Sequence, residues 1–245
     1  MLTGPQKSAD LPAASLQCEL GRRLEDIRRR IEAAALRSGR DPAGIGLIAV
    51  SKTQPAQTIR ALAEHGQRDF GENYLQEALP KLAALQDLPL TWHYIGRLQS
   101  NKTREVAQWF QWVHTLDRER IARRLNEQRP PWAPPLQVCI QVRLGDESGK
   151  GGVTPEALAP LAHSIGELPR LRLRGLMCIP PPHETFEAQQ AMFTILAEHR
   201  RRLIQQGFEL DTLSMGMSAD LEAAVAAGAT WVRIGSALFG KRKRR

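Results

Sequence analysis

The sequence predicts an α/β fold, a single-domain (β/α)8 barrel. Two observations carry that reading. Eight short apolar runs alternate with stretches of helical periodicity, the pattern of a parallel sheet wrapped by helices. The chain has 245 residues with 42% hydrophobic content, enough to bury one large core and ordinary for a barrel of this type. A doubly wound open sheet is the competing architecture; strand count and chain length favour closure.

Residues 1–14 are polar with Gly and Pro and read as a disordered extension. Leu16, Leu20, Leu24, Ile27 and Ile31 then recur at steps of three and four, one face of an amphipathic helix ending near Gly39. Arg28, Arg29 and Arg30 fall inside this pattern and are assigned to its wet face. Strands are predicted over 45–50, around Phe70, and over 92–95, 112–116, 136–142, 173–177, 213–217 and 231–234. Helices are predicted over 55–65, 101–110, 155–168, 186–206 and 219–227, with Ser218 as the cap of the last. Pro near a helix start and Gly just past its end, as at Pro55 and Gly66, support these bounds. The Pro-rich run 129–135 lies in mid-alternation and reads as a loop, so the barrel domain is placed at 15–240 with a basic tail at 241–245.

Composition narrows the function. The formal net charge is +8, but the KRKRR tail supplies five of those charges, leaving +3 for the body. A basic interaction module working through the tail is one reading, and salt-sensitive nucleic-acid binding would be its signature. Aromatic content of 5% argues against a stacking platform for single strands. Three scattered cysteines, Cys18, Cys139 and Cys178, form no CxxC pair and suit a reducing cytoplasm. The N-terminus has no secretory h-region, and no apolar run approaches the roughly 20 residues of a membrane span. The six histidines show no metal-ligand spacing; His114 reads as core, as does the Trp109/Trp112 pair.

In a barrel the functional residues follow the strands at one rim. Lys52 follows the first strand, in IAVSKTQP. Gly71-Glu72-Asn73-Tyr74 follows the second, and the third carries His93. The seventh runs into Ser218, and the eighth ends in Arg233-Ile234-Gly235-Ser236. Loops seven and eight are where barrels hold phosphate, and a lysine across from that site is placed to form a Schiff base with a phosphorylated aldehyde. A solvated loop lysine, a helix cap at Ser218 and a tight turn at Gly235 are the plain alternatives. Two motif-like runs are set aside. Residues 44–49 match GxGxxA but precede a strand instead of following it, and 148–151 lack the spacing and the Ser/Thr of a P-loop.

Taken together, AVSKTQP, FGENYLQE, WHYIGRLQSNK, RLRGLMCIPPP and LSMGMSADLEAAVAAGATWVRIGSALFG resemble the YggS/PROSC family of pyridoxal-phosphate homeostasis proteins, over about residues 47–240. The resemblance implies a TIM barrel of the alanine racemase N-terminal-domain type. It implies pyridoxal 5′-phosphate (PLP) held as an aldimine on Lys52, a phosphate held by Ser218, Gly235 and Ser236, and a ring lined by Asn73 and His93. Arg233 would meet the pyridine nitrogen or the phosphate. The implied role is intracellular PLP and vitamin B6 homeostasis without turnover, as a monomer, with apo PLP-dependent enzymes as recipients. A PLP enzyme acting on amino acids, a slow racemase, decarboxylase or lyase, is the alternative. The sequence departs from the family at Gln54, where a second lysine is often found. Lys150 occupies a family loop position. Alanine racemase adds a β-domain whose tyrosine is a second acid/base; here Tyr74 and Tyr94 both fall in barrel segments, so efficient racemisation is not expected.

Overall fold

A computed structural model describes residues 13–145 and 151–240. Lys150, the basic tail and residues 1–12 of the N-terminal extension lie outside the described residues. Eight parallel strands close in sequence order: β1 (Gly46–Val50), β2 (Asp69–Glu72), β3 (Thr91–Tyr94), β4 (Trp112–Leu116), β5 (Leu136–Gln141), β6 (Leu171–Met177), β7 (Thr212–Ser214) and β8 (Trp231–Ile234). Closure comes from β8 pairing with β1, in register from Gly46 opposite Trp231 to Ala49 opposite Ile234. The architecture is therefore the predicted barrel and not the open sheet.

The strand β7 is shorter than the predicted 213–217. Backbone contacts to β8 continue past it, through Met215 N–H to the Trp231 carbonyl at 3.0 Å. Gly216 then turns the chain at φ +92°, and a Cβ there would lie 2.5 Å from that of Ala224. Only glycine meets both demands. This turn opens the loop that carries Ser218.

The outer ring consists of α2 (Ala56–Glu64), α3 (Leu75–Ala84), α4 (Thr103–Trp109), α5 (Glu119–Gln128), α6 (Pro155–Gly166), α7 (Phe186–Gln205), α8 (Leu221–Ala226) and α9 (Ser236–Phe239), preceded by α1 (Ala13–Arg37). Sequence patterning did not predict α3 or α5. The first contains Pro80, and the second buries only Ile121, Ala122 and Leu125 of its ten residues. The four-residue α9 is too short to cover the barrel. α1 packs against α2, α8 and α9 and fills that place in the ring.

Burial on α1 follows the predicted face: Leu20, Leu24, Ile27 and Ile31 are covered, while Leu16 stays exposed. The helix ends in a Schellman turn. Gly39, at φ +64°, donates its N–H to the Leu36 carbonyl at 3.1 Å, and Arg40 donates to the Ala35 carbonyl at 2.9 Å. Arg28 and Arg29 are exposed as predicted, but Arg30 is not simply a wet-face residue. Its guanidinium reaches Glu222 at 2.8 Å and the Ser218 carbonyl at 3.1 Å, tying α1 to the loop after β7. Because Leu24 belongs to the barrel's own core, Leu24→Ala is expected to lower unfolding stability by about 2–5 kcal/mol. Urea denaturation measures this, and a loss below about 0.5 kcal/mol would mean that α1 contributes no core packing.

Candidate functional site

At the C-terminal mouth of the barrel lies a cavity of about 380 Å³, within the size range of small-molecule sites. Six of the seven residues singled out in the sequence line it: Lys52, Asn73, Ser218, Arg233, Gly235 and Ser236. Val50, Ile95, Ile179 and Met217 supply apolar wall. Among the described lining residues, Lys52 and Arg233 are the titratable groups.

Lys52 stands two residues beyond the buried end of β1, half-buried. The next residue, Thr53, adopts a left-handed backbone at φ +67°, an uncommon conformation for a β-branched residue and one found at sites where geometry is enforced. Its N–H is met by the Glu77 carboxylate at 3.1 Å. Beneath this turn is a buried ion pair that sequence reasoning missed. The Lys81 ammonium donates to Glu72 at 2.7 Å and to the Ser51 carbonyl at 3.0 Å, and the Ser51 hydroxyl donates to the same Glu72 oxygen at 2.6 Å. The strand end that presents Lys52 is thus pinned from below. The available signal was a glutamate closing a short strand straight after Phe70-Gly71, with a lysine nine residues later on the apolar side of a helix.

Asn73 follows β2, and its backbone is wedged against loop three. A Cβ on Gly96 would sit 2.0 Å from the Asn73 carbonyl oxygen, so that loop requires glycine. The Asn73 Oδ1 is buried without a partner among the described residues, leaving an acceptor at the cavity wall. On the opposite side, Ser218 is not the cap of α8. That helix starts at Leu221 with Asp220 in the cap position. The Ser218 hydroxyl instead faces α9, accepting from Ala237 N–H and from the Ser236 hydroxyl, each at 3.3 Å. Loops seven and eight therefore meet through these two serines.

Arg233 lies deeper and is almost wholly buried. It donates to the Ser214 hydroxyl and to the Cys178 carbonyl, both at 2.9 Å. Burial lowers its pKa, yet guanidinium stays protonated in proteins. His93 is the exception among the predicted residues, since the cavity wall does not include it. Its ring is fully buried inside the barrel, stacked on Trp112 with centroids 5.6 Å apart and tilted against Trp231 at 5.2 Å. His114 is likewise core, as predicted, and Trp112 fills the same interior.

Burial raises the Glu72 pKa, while Lys81 and Ser51 oppose that rise. Lys81→Met leaves the carboxylate buried and unpaired, so the variant is expected to lose about 3–5 kcal/mol at neutral pH. A carboxyl whose folded pKa is raised favours folding at low pH and loses that contribution as pH rises through the folded value. The variant's deficit should therefore shrink on acidification as Glu72 takes up a proton. Denaturation at several pH values checks this, and a deficit that grows towards acid would contradict the assignment.

Comparison with known proteins places this geometry. The alanine racemase N-terminal domain family matches residues 23–243. The pyridoxal phosphate homeostasis protein of Pseudomonas aeruginosa is 58% identical over 219 residues, covering 89% of this chain and 94% of that protein. PipY of Synechococcus elongatus, solved with PLP bound, superposes with a TM-score of 0.80 at 40% identity, covering 90% of this chain and 100% of PipY. Alanine racemase of Corynebacterium glutamicum superposes at a TM-score of 0.62 and 16% identity, over 88% of this chain and 60% of its own, a likeness of fold alone. The chain belongs to the pyridoxal phosphate homeostasis protein family, within the alanine racemase N-terminal domain group.

Proposed function

We propose that this protein binds PLP through the Lys52 amine and holds it for supply within the cell, without turning over a substrate of its own. The observation that carries the reading is one cavity uniting Lys52, Arg233 and the Ser218/Ser236 pair. The residues fit the cofactor. Lys52 offers a primary amine to an aldehyde. Ser218, Gly235 and Ser236 form a small polar cradle for phosphate, Asn73 offers an unmatched acceptor, and the apolar wall suits a planar ring. Bound PLP supplies an aldehyde and an electron-withdrawing pyridine ring.

Arg233 is anchored to groups in the barrel interior, not to loops seven and eight, so it is assigned to the ring side of the site. A permanent cation there keeps the pyridine nitrogen unprotonated, and the ring is then a weak electron sink. Racemisation needs proton donation on one face and abstraction on the other. Among the described cavity residues, Lys52 is the single group able to do either. Both features favour holding over catalysis.

The proposed state is a monomer, and apo PLP-dependent enzymes are the proposed recipients. No helix of the described residues is long and apolar enough to cross a membrane. The described cysteines are free thiols, which supports placing the protein in a reducing cytoplasm.

The purified protein is expected to be yellow, and borohydride should fix PLP to Lys52 in a peptide-mass measurement. Lys52→Ala should lose that covalent adduct. A wild-type protein that stays colourless with excess PLP would remove the assignment. Product formed on incubation with amino acids would replace holding by catalysis.

A further inference from the structure

Behind Arg233 a line of buried polar groups crosses the barrel interior. Arg233 donates to the Ser214 hydroxyl at 2.9 Å, Ser214 meets His114 Nδ1 at 2.8 Å, His114 Nε2 meets His93 Nδ1 at 2.9 Å, and His93 Nε2 meets Asp69 at 3.0 Å. Asp69 opens β2, and its partly exposed carboxylate lies beside a hollow at the opposite end of the barrel, near Arg28, Gln67 and Arg68. The two ends define the direction of every link. Guanidinium only donates and carboxylate only accepts. Ser214 therefore gives its hydrogen to His114 Nδ1, His114 gives Nε2–H to His93 Nδ1, and His93 gives Nε2–H to Asp69. The reverse order would need a charged imidazolium at His93 or a broken link to Asp69. Burial pushes both histidines down from the usual imidazole range, so the neutral order is the one that satisfies every group.

We infer that Asp69, His93, His114 and Ser214 are positioning residues for Arg233: their hydrogen-bonded line orients the guanidinium at the cavity and thereby sets the electronic environment of the bound ring. This rests on the PLP assignment above. It also gives His93 a role that lining the ring would not. Asp69 touches none of the cavity residues, yet it acts on the cofactor through four intervening groups.

The test uses the full-length protein, with and without PLP. In the apo form, isotope-edited NMR of the histidine rings should show His93 and His114 as neutral Nε2–H tautomers. Asp69→Asn gives His93 an amide that donates as well as accepts, so a second tautomer should appear. In the loaded form, Ser214→Ala should move the visible band and weaken PLP about tenfold, the scale of one hydrogen bond to a charged group. Borohydride fixation at Lys52 should persist, and Ser214→Thr should restore the band. Asp69→Asn should also move the band, despite its distance from the site. If both variants keep the wild-type band and affinity, or if His114 carries its proton on Nδ1, the inference fails while Lys52 binding stands. If wild type takes up no PLP, the cofactor assignment fails first and the positioning role falls with it.

Discussion

Arg233 places a guanidinium inside a barrel whose interior also holds the apolar Ile48, Trp112, Cys139 and Met177. Several kcal/mol of desolvation oppose such a charge unless its donors are met. The fold meets them with a hydroxyl at the end of β7 and a carbonyl just after β6. Much else follows from that arrangement. Register on β1 sets Arg233 opposite Ile48, four residues below Lys52 along the chain, so two cations face one cavity from different depths. Burial pushes the His114 imidazole down, with His93 and Arg233 adding to the effect, and burial pushes the Cys178 thiol up even though Arg233 opposes that rise.

The rim of the cavity is held by separate anchors on each side. Glu72, Lys81 and Ser51 pin the end of β1 and hold the turn that carries Lys52. Across the mouth, Arg30 from α1 grips Glu222 and the Ser218 carbonyl, fixing the loop whose hydroxyl meets Ser236 and Ala237 N–H. Thus α1 closes the outer ring and also supports the polar cradle. Half-exposed ion pairs such as Arg30–Glu222 contribute little to stability on their own; here the gain is geometric, because the contact spans two elements distant in sequence.

Legibility in the sequence tracked the strength of local signals. The closed barrel, the amphipathic α1 and six residues that line the cavity were readable, because strand ends in a barrel converge by construction. Ser218 was found at the right place for an incomplete reason: a serine ahead of a helical run resembles a cap, whereas its hydroxyl belongs to the contact with loop eight. His93 was placed on the correct strand but assigned to the mouth, since no local pattern tells how deep in a barrel a strand residue sits. The helices α3 and α5 escaped because Pro80 interrupts one and charged residues dominate the other.

By itself, the sequence determined the alternation of strand and helix, the glycines at tight approaches and the types of group presented after each strand, because these depend on backbone geometry and short-range periodicity. Only the tertiary structure decided which buried polar groups face one another. The pairing of Glu72 with Lys81, of Arg30 with Glu222, and the line from Asp69 to Arg233 join residues from 9 to 192 positions apart. Barrel closure and strand register set those distances, and desolvation makes each buried group depend on its partner.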